Sequence, residues 1–167
     1  MPFSHDEAKL IAGCTLADYE SERVTTRKVL EAVPAGAEQY SPDARSMNAL
    51  KLAWHIASAE KFFLDGIVAG AFHAGEPEVP EAIKAASYVV AWYDSNLPDS
   101  IASVKSLPGE ALTREIDFFG MFKATGLNYL SLMVRHSVHH RGQLSAYLRP
   151  MGAKVPGIYG PSGDSNS

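Results

Sequence analysis

The chain has 167 residues, 46% of them apolar and 20% charged, the profile of one soluble domain rather than a disordered tail or a repeat array. A chain of this size removes roughly 70% of its unfolded surface from water, so neither a disulfide nor a zinc-finger-type metal is needed to make it fold. Fifteen Lys plus Arg against nineteen Asp plus Glu give a net charge of -4 with the cations scattered, which argues against a nucleic-acid partner.

The amino-terminal run Met1-Pro2-Phe3-Ser4-His5-Asp6-Glu7 has neither a basic segment nor an apolar one, and no 18 consecutive apolar residues occur anywhere. The expected location is the cytoplasm, with no membrane partner. A first helix is predicted from about Ser4 to Ala32: Ser4 and Glu7 have capping-box spacing, and Leu10, Cys14, Ala17, Val24 and Leu30 form a broken apolar stripe. Cys14, the single cysteine, is expected as a packed thiol, not a redox group.

A second helix is predicted from about Ser46 to Ala69, largely buried, and stopped by Gly70 and the Gly75-Glu76-Pro77 stretch. A third spans about Ser87 to Ser106, with Val90, Trp92, Tyr93, Ile101 and Val104 inward and a kink or break at Pro98. Residues 108–120 read as a helical turn followed by a short extended piece. The last helix runs from about Phe122 to Leu148 and ends at Arg149-Pro150-Met151-Gly152. Residues 153–167 form an irregular carboxy-terminal tail. These elements make one all-α domain over residues 1–167, a four-helix bundle.

The chemistry concentrates in the last helix, in His136-Ser137-Val138-His139-His140-Arg141-Gly142-Gln143. Histidines four apart stand one turn above each other, so His136 and His140 can converge on one cation. Both fall in the row of Tyr129, Met133, Leu144 and Tyr147 and are expected to point inward. His139 lies about 100° away, although an i,i+3 pairing with His136 is an alternative. His55, near the midpoint of the second helix, supplies a third nitrogen. The competing reading makes all three core histidines satisfied by neighbours. A three-nitrogen set with an open fourth position is the arrangement of catalytic rather than structural zinc, and imidazole also suits nickel, copper or iron.

Other candidates are weighed against plainer roles. Glu60 is a possible support for the ligands or a general base, set against a solvated carboxylate beside Lys61. Arg141 and Gln143 could orient a substrate or the ligand helix, set against simple exposure. His5 and His73, at a helix start and in a loop, read as solvated. Asp117, Asp164 and Tyr159 lie in irregular chain where a pocket rim could form.

Trp54-His55-Ile56-Ala57-Ser58-Ala59-Glu60, the His136–Arg149 block and the trailing Pro156-Gly157-Ile158-Tyr159-Gly160 resemble the DinB/YfiT-like superfamily of metalloenzymes across essentially the whole chain. The resemblance implies an up-down-down-up four-helix bundle, frequently a homodimer, with one divalent metal ion, zinc or nickel, held by three histidines. Carried over by motif, the ligands fall on His55, His136 and His140. It further implies a thiol S-transferase that uses a low-molecular-weight thiol, or a metal-dependent hydrolase, in a family named for DNA-damage-induced expression. The alternative is a non-catalytic metal-binding, dimeric interaction protein of the stress response.

Overall fold

The computed structural model describes residues 3–74 and 78–165. It contains α1 (His5–Glu31), α2 (Ala49–Ala69), α3 (Ala86–Ser106), the short α4 (Gly109–Thr113), a hairpin of β1 (Glu115–Phe118) and β2 (Phe122–Thr125), and α5 (Gly126–Leu148). The capping box forms as predicted: the Glu7 N–H donates to Ser4 Oγ at 3.3 Å and the Ser4 N–H donates to Glu7 Oε2 at 2.8 Å. α2 starts three residues later than predicted. Ser46 is occupied instead in a turn that donates to Asp43 Oδ2 at 2.8 Å, and Asn48 caps the helix by accepting from the Lys51 N–H at 2.8 Å. Gly70, in the left-handed region at φ 68°, closes α2, while the Gly75-Glu76-Pro77 stretch lies outside the described residues.

α3 runs unbroken through Pro98, whose ring lies on the exposed face, so the predicted kink does not occur as a break. The last helix starts at Gly126 rather than Phe122, because Phe122–Thr125 pair antiparallel with Glu115–Phe118 and Thr125 then caps α5. The hairpin turn holds Phe119 at φ 54° and Gly120 at φ 74°, and Asp117 Oδ2 accepts from the Gly120 N–H at 2.7 Å.

Side-chain contacts fix the helix directions. Arg27 meets Asp94 and Lys105 meets Glu20, so α1 and α3 are antiparallel. Trp54 packs on Trp92 while Lys61 meets Ser100, so α2 and α3 are parallel. His55 meets His136 while Phe63 packs on Tyr129, so α2 and α5 are antiparallel. The result is the up-down-down-up bundle, in which the chain must travel the length of a helix, about 30 Å, between α2 and α3. α4 seats against the start of α1 so closely that a Cβ on Gly109 would lie 2.1 Å from the His5 carbonyl oxygen.

The core includes Leu16, Tyr19, Leu30, Leu52, Ile56, Leu64, Ile67, Tyr93, Leu97, Tyr129 and Leu144. The α1 stripe is a correction. Ala8, Ala12, Leu16, Tyr19, Thr26, Val29 and Leu30 face inward, whereas Leu10 is 69% and Val24 57% exposed, and Ala17 and Cys14 are exposed as well. Two rows on α1 have helical spacing, and the buried one includes the polar groups of Tyr19 and Thr26, whose partners are described below.

Candidate metal centre

His55 on α2 and His136 and His140 on α5 meet at the crossing of these antiparallel helices. The His55 Nε2 to His136 Nε2 distance is 3.1 Å, and the ring centroids stand 4.8 Å (55 to 136), 4.6 Å (55 to 140) and 4.4 Å (136 to 140) apart. One nitrogen from each ring lies within 4.8 Å of the others. Nitrogens bound to one tetrahedral zinc at about 2.0–2.1 Å sit about 3.3 Å from one another, so small rotamer adjustments bring this set onto an ion. The donor chemistry therefore fits a divalent borderline metal.

All three rings are half-buried rather than fully interior. His139 is exposed and only flanks His140, with ring centroids 4.8 Å apart, which favours the i,i+4 pair as the convergent one. Burial pushes the His136 pKa down to about 4, with the neighbouring His140, His55 and His139 rings adding to the depression. Burial, then His140, lowers His55 as well. Rings that resist protonation keep the neutral form a metal requires. Gln143 Oε1 lies 3.0 Å from His140 Nδ1; with Nδ1 donating, the Nε2 lone pair is left for a ligand bond. Phe63 closes one flank, its ring centroid 6.0 Å from that of His136, and joins an aromatic cluster with Phe72, Phe118 and Tyr129.

The plainer reading of Glu60 as a solvated carboxylate is overturned. Glu60 is 1% exposed, and its carboxylate meets hydroxyls, not an imidazole. Tyr19 donates to Oε2 at 2.6 Å, Tyr93 donates to Oε2 at 2.7 Å, and Ser137 donates to Oε1. Burial raises the Glu60 pKa, while these three hydroxyls and Arg23 oppose the rise.

Arg141 is also 1% exposed, against the expectation of a surface cation, and its guanidinium meets α1 and the tail. Its guanidinium pairs with Glu22, donates to the Glu22 carbonyl at 3.2 Å and to Tyr159 Oη at 2.6 Å, and so ties α5 to α1 and to the carboxy-terminal tail. Asp164 accepts from Arg149 and from the Val155 N–H, so it and Tyr159 anchor the tail, while Asp117 holds the hairpin turn. His5 and His73 are exposed, as expected.

A helical bundle with a three-histidine cluster between its second and last long helices is thus defined by geometry alone. The DinB family profile matches residues 11–165, and the chain belongs to the DinB family. It is 29% identical to the uncharacterized protein YjoA of Bacillus subtilis strain 168 over 139 residues, 82% of this chain and 88% of that protein. It is 25% identical to the uncharacterized protein YrdA of the same organism over 151 residues, 88% and 87% of the two chains. The crystal structure of the DinB-like YjoA superposes with TM-score 0.70 at 28% identity, covering 89% of this chain and 99% of that one. A DinB-like protein from Bacillus cereus superposes with TM-score 0.73 at 26% identity, covering 87% and 95%.

Proposed function

We propose that this protein binds one divalent ion, zinc or nickel, through His55, His136 and His140, and acts as a metal-dependent enzyme on a small molecule, with a low-molecular-weight thiol as the preferred nucleophile and hydrolysis as the second choice. The observation that carries this reading is the convergence of one nitrogen from each ring within 4.8 Å at a half-buried crossing. When bound, a divalent ion at three imidazoles supplies an acidified thiol or water. The chain's own part is to present neutral donors, to orient His140 through Gln143, and to shield one flank with Phe63. The apolar core closes around other residues, so folding has no need of the ion.

Metal analysis of the purified protein tests the binding. The expected result is near-stoichiometric ion that disappears in His55→Ala; the same ion content in the variant refutes the assignment. Incubation of the holoprotein with low-molecular-weight thiols plus electrophiles, and separately with ester and amide panels, tests the chemistry. Silence in both with metal present favours a non-catalytic, metal-binding interaction protein.

The exposed row of α1 supports a homodimer. Its apolar members Leu10, Ala17 and Val24 recur every seven residues, the spacing of a helix-pairing seam. With two copies of α1 antiparallel about Ala17, Leu10 faces Val24 of the partner subunit and Asp6 faces Lys28 of the partner subunit, matching apolar with apolar and acid with base. Among the described residues no helix is long and apolar enough to cross a membrane. A cytoplasmic stress-response setting, with neither nucleic acid nor membrane as partner, completes the proposal.

A further inference from the structure

One buried carboxylate on the same helix as His55 is used by none of the chemistry above. Glu60 receives one hydroxyl from each of the other three long helices: Tyr19 of α1, Tyr93 of α3 and Ser137 of α5. The three donors require an acceptor at both carboxylate oxygens, which an ionised Glu provides. Arg23 adds a cation at the edge, its guanidinium carbon 5.0 Å from the Tyr93 ring centroid. The two tyrosines share Oε2, and Ser137 alone takes Oε1.

That division separates two jobs. The tyrosine bonds tie α2 to α1 and α3, which carry no ligand. The Ser137 bond joins α2 to α5, the two helices that carry all three histidines, and Ser137 directly follows His136 in sequence. Glu60 stands five residues from His55, about 7.5 Å along the axis. A slip of one residue between α2 and α5 moves their side chains by about 1.5 Å, whereas metal–ligand distances tolerate only about 0.2 Å. Apolar packing at this crossing is compatible with small slides; a charge-assisted bond between fixed atoms is not.

We infer that Glu60 is a positioning residue for the metal centre, its carboxylate pinning α5 to α2 through the Ser137 hydroxyl in the register that brings His136 and His140 to His55. This rests on the metal-binding reading above. Ser137→Ala deletes the pin with a small, helix-compatible side chain and leaves Glu60 with both tyrosines. Tyr19→Phe and Tyr93→Phe delete bonds of the same carboxylate that do not join the ligand helices.

The test loads each protein with cobalt(II), records the visible d–d spectrum, measures affinity by chelator competition, and measures the melting temperature of the metal-free form. Ser137→Ala and Glu60→Gln are expected to lose about 10–100-fold in affinity and to shift the spectrum. The tyrosine variants are expected to melt earlier with the wild-type spectrum and affinity. A wild-type spectrum and affinity in Ser137→Ala overturns the pin, as does a tyrosine variant that perturbs the spectrum equally. Absence of cobalt binding by the wild-type protein overturns the metal reading and the pin with it, so the two failures are distinct.

Discussion

Acidification of the metal-free protein protonates His136 and His55, two rings that burial favours in the neutral form. His136 titrates near 4 in the folded protein and near 6.5 when the chain unfolds, so between these values the unfolded chain binds a proton that the folded one does not. A depressed folded pKa contributes stability that is present above about pH 6.5 and is lost as the pH falls toward about 4. At about 1.4 kcal/mol per tenfold change in the proton equilibrium, the displacement corresponds to about 3 kcal/mol. The ring is only half-buried, and solvent screening reduces this to about 1–2 kcal/mol. His55 is displaced in the same direction and steepens the loss. Urea unfolding of EDTA-treated protein between about pH 7.5 and pH 4.5 measures it, with His136→Leu as the reference that removes the group and leaves the other carboxylates and histidines to titrate. The wild-type protein is expected to lose about 1–2 kcal/mol more than the variant over this range. Parallel stability curves refute the argument, because they place the ring in ordinary solvent.

Two more outcomes follow from burial. Arg141→Met leaves the Glu22 carboxylate facing the bundle without its cation and removes a donor from Tyr159; it is expected to cost about 2–3 kcal/mol in urea unfolding and to speed proteolysis within residues 153–165. Unchanged stability and an equally resistant tail would contradict the clamp. Leu10→Glu is expected to turn a dimer into a monomer by light scattering on a sizing column, with the single-chain fold retained by circular dichroism because the position is exposed within one chain. A monomeric wild-type protein, or a dimer unaffected by the charge, rules out the α1 interface.

The three clustered histidines are legible in the sequence because their signal is local: the i,i+4 spacing of His136 and His140 and the apolar setting of His55 survive into the structure. Glu60 and Arg141 are not legible in this way. Each belongs to a residue type that is seldom buried unless paired. Their partners lie far along the chain: Tyr19 is 41 residues from Glu60, Ser137 is 77 from it, and Glu22 is 119 from Arg141. The α1 stripe is misread for a related reason. Its inward row is interrupted by the polar Thr26, which meets Arg141, while the outward row repeats Leu10, Ala17 and Val24 at the same helical spacing. The hairpin does have a local clue, in Asp117 followed three residues later by Gly120, but strands of four residues compete poorly with the long helical pattern beginning beside them.

The separation of His55 from His136 by 81 residues has a temporal consequence. During synthesis the first of the three imidazoles emerges long before the other two, and a lone imidazole has little hold on a cation. The three-histidine cluster therefore comes into being only when the final long helix docks, after the three other long helices have been made. A fragment ending before position 136 carries only one member of the triad, so assembly of the cluster reports that the carboxy-terminal segment has arrived and been seated.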